Sequence, residues 1–131
     1  MHPDFSGTWE ADLSKSRLLG AAPDRITVKI DHRDPRLTQT VLTAAAGQEQ
    51  RLQFAFTTDG RDSSNSIGGA SGISRARWLG EELEIESTIT LAGRDRHFRD
   101  YWSLSPNGQF LTMAHRDDDL AGQVTVLEKM P

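Results

Sequence analysis

The sequence predicts an all-β protein: an antiparallel up-and-down β-barrel of about ten strands, with a short loop or a single helix after the first strand. Three observations carry that expectation. Turn signals recur at short, regular intervals: Asp34-Pro35, Ala46-Gly47, Asp59-Gly60, Gly68-Gly69, Gly80-Glu81, Gly93-Arg94, Asn107-Gly108 and Ala121-Gly122. Between them lie β-rich runs with period-two alternation, such as RITVKIDH, RLTQTVLT, ELEIESTITL and RHFRDYWSL, the pattern of many short strands in a sandwich or closed barrel. Finally, short hairpin loops fix which side chains sit opposite each other, and the resulting pairs keep apolar residues together on one face.

Each element follows in order. The opening stretch DFSGTWE sets Phe5, Gly7 and Trp9 in the first ten residues. Chain ends fray unless packing holds them, so a tryptophan there implies a first strand built into the core. Asp12 to Arg25 breaks the rhythm and reads as one short helix or an Ω-loop, a candidate lid. The Ala46-Gly47 loop sets Gln39 against Phe54 and Val41 against Leu52. The Asp59-Gly60 loop sets Phe54 against Asn65 and Leu52 against Ile67, and a Gly69-Ala70 loop pairs Asn65 with Ser74. Gly80-Glu81 places Trp78 opposite Leu83 and Ala76 opposite Ile85, with Arg77–Glu84 and Arg75–Glu86 as exposed ion pairs on the other face. Gly93-Arg94 sets Ile89 against Phe98, Ser87 against Asp100 and Ile85 against Trp102. Asn107-Gly108 sets Leu104 against Leu111, Trp102 against Met113 and Asp100 against His115.

Composition narrows the function classes. The chain of 131 residues is expected to be one domain spanning 1–131, with 36% apolar and 26% charged residues, which fits a soluble globular protein. No apolar run reaches the ~18 residues of a membrane helix, and no signal-peptide pattern opens the sequence. The absence of cysteine excludes disulfides and thiolate metal sites and leaves the compartment open. The net charge is −4, and its 15 basic residues are scattered among acids, without the basic face of a nucleic-acid binder. No metal or cofactor motif stands out. HRDDDL (His115 to Leu120) lacks calcium-loop spacing, and GGASG (Gly68 to Gly72) sits between strands. His2, His32 and His97 read as exposed.

The inner face carries one unusual feature: a polar row of Gln39, Phe54, Asn65, Ser74, Ser87, Asp100 and His115, extended by Thr125 from the last hairpin. Trp78, Phe98, Trp102 and Met113 flank it as apolar walls. Unpaired buried polar groups cost ~1–3 kcal/mol each, so a row of them points to a hydrated cavity, and apolar walls with a few convergent polar groups describe a small-molecule site. Asp100 beside His115 would raise the imidazole pKa and fix its tautomer. Thr125 on its far side would give the order hydroxyl, imidazole, carboxylate used by hydrolases.

A start of the form F-x-G-x-W before a meander of hairpins, here FSGTWEAD, resembles the calycin superfamily of lipocalins, fatty-acid-binding proteins and their bacterial lipocalin-like relatives. RWLGEELEIE is similar to the aromatic-x-Gly hairpin of the bacterial branch. The resemblance implies that Trp9 closes the barrel floor and that the interior binds small hydrophobic molecules. It departs from the fatty-acid carriers: their Arg-x-Tyr carboxylate clamp corresponds to Thr125 and Leu127 in TVLEK. Two readings follow. One is a binding module for a small, mostly apolar ligand with polar groups, held by Gln39, Phe54, Asn65, Ser74, Trp78, Ser87, Phe98, Asp100, Trp102, Met113 and His115, as a monomer or dimer without cofactor or metal. The other is a hydrolase or isomerase with His115 as base, Asp100 as its steering group and Thr125 as the hydroxyl.

Overall fold

The computed structural model describes residues 2–67, 69–117 and 122–131. Its strands are β1 (Gly7–Ala11), β2 (Arg25–Arg33), β3 (Arg36–Ala45), β4 (Gln48–Thr57), β5 (Asp59–Ile67), β6 (Ala70–Leu79), β7 (Glu82–Leu91), β8 (Arg94–Leu104), β9 (Phe110–Asp117) and β10 (Gly122–Lys129). All ladders are antiparallel, and the sheet order is β4-β3-β2-β1-β10-β9-β8-β7-β6-β5. Chain neighbours are sheet neighbours, and the first strand also pairs with the last: Trp9 opposite Lys129 and Ala11 opposite Leu127. The sheet therefore curls into a nearly closed up-and-down barrel with one seam, between β4 and β5. No helix among the described residues is long and apolar enough to cross a membrane.

The seam is bridged by a side chain instead of a ladder. The Ala55 amide donates to Asn65 Oδ1 at 2.8 Å, and Asn65 Nδ2 donates to the Ala55 carbonyl at 3.1 Å. One carboxamide thus supplies the donor and acceptor that a neighbouring strand would offer, as edge backbone requires. The expected pairing of Phe54 with Asn65 and Leu52 with Ile67 is not formed.

Two other hairpins differ from expectation by two residues. Leu91 pairs with Arg94, so the β7–β8 turn is Ala92-Gly93, with φ of 53° and 76°. A two-residue turn of this kind needs two successive left-handed residues, and Ala46-Gly47 supplies them in the same way at 52° and 77°. As a result Ser87 faces Phe98, Ile85 faces Asp100 and Leu83 faces Trp102. Likewise Ile67 pairs with Ala70, which places Ser63 opposite Ser74 and Asn65 opposite Gly72. A shift of two keeps every side chain on its face, so the inner and outer sets are as expected while the partners change. The Ala46-Gly47, Gly80-Glu81 and Asn107-Gly108 hairpins have the expected registers. The parts of GGASG and HRDDDL that fall on Gly68 and on Asp118 to Leu120, and the Ala121 side of the last turn, lie outside the described residues.

Asp12 to Asp24 forms a loop that runs along β10. Arg17 exchanges backbone hydrogen bonds with Val124 at 2.7 and 2.9 Å. The Ser16 hydroxyl accepts from Val126 N–H at 2.9 Å, and Gln123 Oε1 accepts from Leu19 N–H at 3.2 Å. No helix forms there, and the segment is tied to the wall on which it lies.

The apolar core fills the end of the barrel that holds the β2–β3, β4–β5, β6–β7 and β8–β9 turns. Phe5, Trp9, Leu83, Leu111 and Leu127 are fully buried in it, with Leu37, Phe56 and Trp102 among their neighbours. Trp9 donates its indole N–H to the Phe5 carbonyl at 3.0 Å, and the Lys129 ammonium stands 5.7 Å over its ring. Gly7 permits this: its φ is +142°, and a Cβ there would lie 3.2 Å from Lys129 Cε. His32 is buried, contrary to its expected exposure, because it continues the inward set of Val28 and Ile30 on β2. Its Nδ1 accepts from Phe5 N–H at 3.2 Å, and its Nε2 bonds Asp34 Oδ1 at 3.0 Å. Burial pushes the Asp34 carboxyl up, but the Thr58 hydroxyl and His32 bonded to it outweigh that and hold it below the usual carboxylate range. His2 and His97 are exposed.

On the outer face Arg77 bonds Glu84 at 2.9 Å, but Glu84 is buried, not an exposed partner. Arg75 turns from Glu86 to Asp62 on β5.

Two consequences can be measured. Trp9→Ala truncates a fully buried ring and is expected to cost about 3–5 kcal/mol, read by urea denaturation; unchanged stability would remove Trp9 from the core. Asn65→Leu removes both bonds across the seam, so the Ala55 amide should exchange with deuterium markedly faster while amides of β7 and β8 keep their protection.

Candidate functional site

A cavity of about 360 Å3 occupies the barrel half left open by the core. Its walls are apolar and partly aromatic: Val41, Leu52, Phe54, Phe56, Ile85, Ile89, Phe98, Trp102 and Met113. Polar side chains enter from several strands: Gln39 from β3, Asn65 from β5, Ser74 from β6, Ser87 from β7, Asp100 from β8, His115 from β9 and Gln123 from β10. Each is there because of strand parity, which sends alternate residues to one face. The cavity lies toward the β3–β4, β5–β6, β7–β8 and β9–β10 turns, the end from which the core is absent.

The polar residues do not form one continuous row. Ser63, Ser74, Ser87, Phe98 and Asp117 share one register line. Asp100, His115 and Gln123 share another, starting from Ile85. The Ala92-Gly93 turn causes the break by sliding β8 two residues against β7. Within the first line the buried Ser74 and Ser87 hydroxyls bond each other at 2.8 Å. Within the second, His115 Nδ1 donates to Asp100 Oδ1 at 2.8 Å, and the ring packs against Phe98 with centroids 5.0 Å apart.

Ten of the residues singled out from the sequence line this cavity: Gln39, Phe54, Asn65, Ser74, Ser87, Phe98, Asp100, Trp102, Met113 and His115. Trp78 does not. It belongs to the floor, where it stacks on His2 at 4.3 Å and on Phe5 at 5.8 Å. Thr125 is also displaced: it faces Met113, and Gln123 is the residue opposite His115. The order hydroxyl, imidazole, carboxylate is therefore not assembled around Thr125. The parity of Gln123, two residues before Thr125, marks it as inward, but only the register of the last hairpin, two residues from the expected one, puts it beside His115. Thr125 and Leu127, at the place of the carboxylate clamp, are both buried inward and bring no charge.

His115 lies between two carboxylates. Its bond to Asp100, opposed by partial burial and supported by the Asp100 and Asp117 charges, raises its pKa above the ordinary imidazole value of 6.5. Nδ1 is committed to Asp100, and Asp117 Oδ1 is 3.9 Å from Nε2, beyond hydrogen-bond distance. The bond to Asp100 thus fixes the orientation of the ring and leaves Nε2 without a hydrogen bond to Asp117, while Asp100 keeps lone pairs for a further donor.

A meander of ten strands closed by its first and last, with a core at one end and a cavity at the other, is a calycin-type β-barrel. No protein-family model and no curated protein matches the sequence. Solved structures match it across nearly the whole chain. Secretory abundant heat soluble protein 4 from Ramazzottius varieornatus has TM-score 0.65 at 13% identity, covering 97% of this chain and 95% of that one. Caenorhabditis elegans lipid binding protein 8 has TM-score 0.63 at 9% identity, covering 96% and 95%. The REP1-NXSQ fatty acid transporter has TM-score 0.65 at 12% identity, covering 98% and 97%. At these identities the likeness is one of fold.

The His115 titration checks the site's electrostatics. Its folded pKa is raised, so the pair stabilises the fold below pH ~6.5 and that contribution is lost as pH rises through the folded pKa. In Asp100→Asn the His115 NMR titration midpoint should fall, and the variant's loss of stability should be larger at pH 6 than at pH 9. An unmoved midpoint would mean that the two side chains do not pair in solution.

Proposed function

We propose that the protein binds a small, mostly apolar molecule inside its barrel and orients it by the polar groups of the cavity. The observation that carries this reading is the combination in one cavity of aromatic and aliphatic walls with Gln39, Ser74, Ser87, Asp100, His115 and Gln123. Sites for small molecules have this composition, apolar lining with few placed polar groups, and volumes from about 300 Å3 upward. The likeness in fold to a lipid binding protein and a fatty acid transporter supports the same reading. In it Phe54, Phe98, Trp102 and Met113 are the walls. Asn65 has a double role, since its carboxamide both lines the cavity and bridges the seam.

The enzyme reading finds less support. A hydrolytic relay needs a hydroxyl facing the imidazole's second nitrogen, and here Gln123, not Thr125, stands across from His115. The Asp100–His115 pair suits a polar anchor for a bound ligand.

Binding is tested with N-phenyl-1-naphthylamine, an uncharged dye that fluoresces in apolar surroundings. Wild type is expected to give saturable enhancement with quenching of Trp102. Ser87→Phe, which fills the cavity from β7, should weaken the dye at least tenfold while the far-ultraviolet circular dichroism keeps its β-sheet signature. Absence of saturable binding to wild type would refute the proposal.

A further inference from the structure

Resting on that reading, we infer that the cavity selects an uncharged ligand bearing both a hydrogen-bond donor and an acceptor, a primary amide being the simplest case, and discriminates against carboxylates and amines. The first support is a census of charge on the inward-facing positions. Among the described residues lining the cavity, Asp100 and His115 are the ionisable ones, and they are bonded to each other at 2.8 Å. Asp117 continues the inward set of β9 and stands 3.9 Å from the imidazole, so any surplus there is negative. The inward-side cations lie elsewhere. Lys129 is at the floor over Trp9, and Arg94 and Arg96 are exposed beyond Phe98 on β8 and do not line the cavity.

A carboxylate entering this space would leave water without gaining a fixed, unmatched cation, and it would approach Asp100. Burying an unpaired charge is far more costly than burying a bonded neutral group, and a like charge adds to that cost. An ammonium would meet Asp100 only by competing with His115 for it. A neutral group avoids both penalties.

The second support is Gln39. It is only 8% exposed, and it lines the cavity from β3. A carboxamide carries both donor and acceptor, so it offers a ligand one of each. On the other wall, Asp100 presents an acceptor and the imidazole edge of His115 faces the same space. A ligand group that both donates and accepts matches either wall, whereas a carboxylate only accepts and an ammonium only donates.

The test is displacement of N-phenyl-1-naphthylamine at pH 7.5 by three molecules with one skeleton: 2-naphthamide, 2-naphthoate and protonated 2-naphthylmethylamine. The amide is expected to compete at least tenfold more tightly than either ion. Gln39→Leu, with each competitor referred to that variant's own dye affinity, should reduce that preference to threefold or less. Naphthoate or the amine competing as well as the amide would overturn the inference while leaving the binding proposal standing. Failure of wild type to bind the dye would overturn the binding proposal and this inference with it. If Gln39→Leu does not fold, the wild-type series decides alone.

Discussion

Everything in this barrel depends on the pairing of its first strand with its last. A ten-strand meander has two edges, and edges expose unpaired backbone groups. By laying Trp9 against Lys129 and Ala11 against Leu127, the chain joins its two ends and moves the break to β4 and β5, which are consecutive in sequence. That choice makes the break cheap, because the strands at the seam are held together by the turn between them and by one carboxamide. It also explains the local chemistry of the opening residues. Gly7 has no Cβ to push Lys129 away, so the lysine stem can cover Trp9, and the indole N–H finds the Phe5 carbonyl below it. The short β1 can hold its place because Trp9 is fully buried and the strand is paired on both sides, with β2 and β10.

From that closure follows the division of the interior. Apolar side chains from β1, β2, β3, β4, β6, β7, β8, β9 and β10 meet at the floor and fill it. Farther along the same strands the inward positions become Gln39, Ser74, Ser87, Asp100, His115 and Gln123, which are too small or too polar to interdigitate as Leu or Phe would. The space left is bounded by Phe54, Phe98, Trp102 and Met113. β1 ends at Ala11, and the loop that follows is tied to β10 by hydrogen bonds of Asp12, Ser16, Arg17 and Leu19.

Much of this was legible in the sequence, because period-two alternation assigns faces whatever the exact register. Ten of the eleven residues expected around a ligand line one cavity, and the alternation put them there. What alternation cannot supply is where along the strand each pair sits. The Gly93-Arg94 turn was misplaced because glycine alone marked it, whereas the backbone uses Ala92 as the first left-handed residue. Trp78 shared the parity of the cavity residues but stands at a strand end, and height along the barrel comes from the tilt of the whole sheet. His32, expected to be exposed, shares the inward parity of Val28 and Ile30. Its partner Phe5 is far away in sequence and reaches it only when the barrel closes.

The pair at Asp100 and His115 shows how the same residues support different chemistry depending on what stands next to them. A carboxylate behind an imidazole is part of a relay only when a hydroxyl faces the other nitrogen. Here the residue across from His115 is Gln123, whose Oε1 is occupied by the Leu19 amide, and the carboxylate nearest Nε2 is Asp117. Both neighbouring carboxylates favour the protonated form of the imidazole, and the bond to Asp100 fixes the direction of the ring. Asp100 is in turn held by that ring, with an oxygen left to accept. The result is a hydrogen-bonded pair facing an apolar space. In the proposed binding role, such a pair orients the bound molecule.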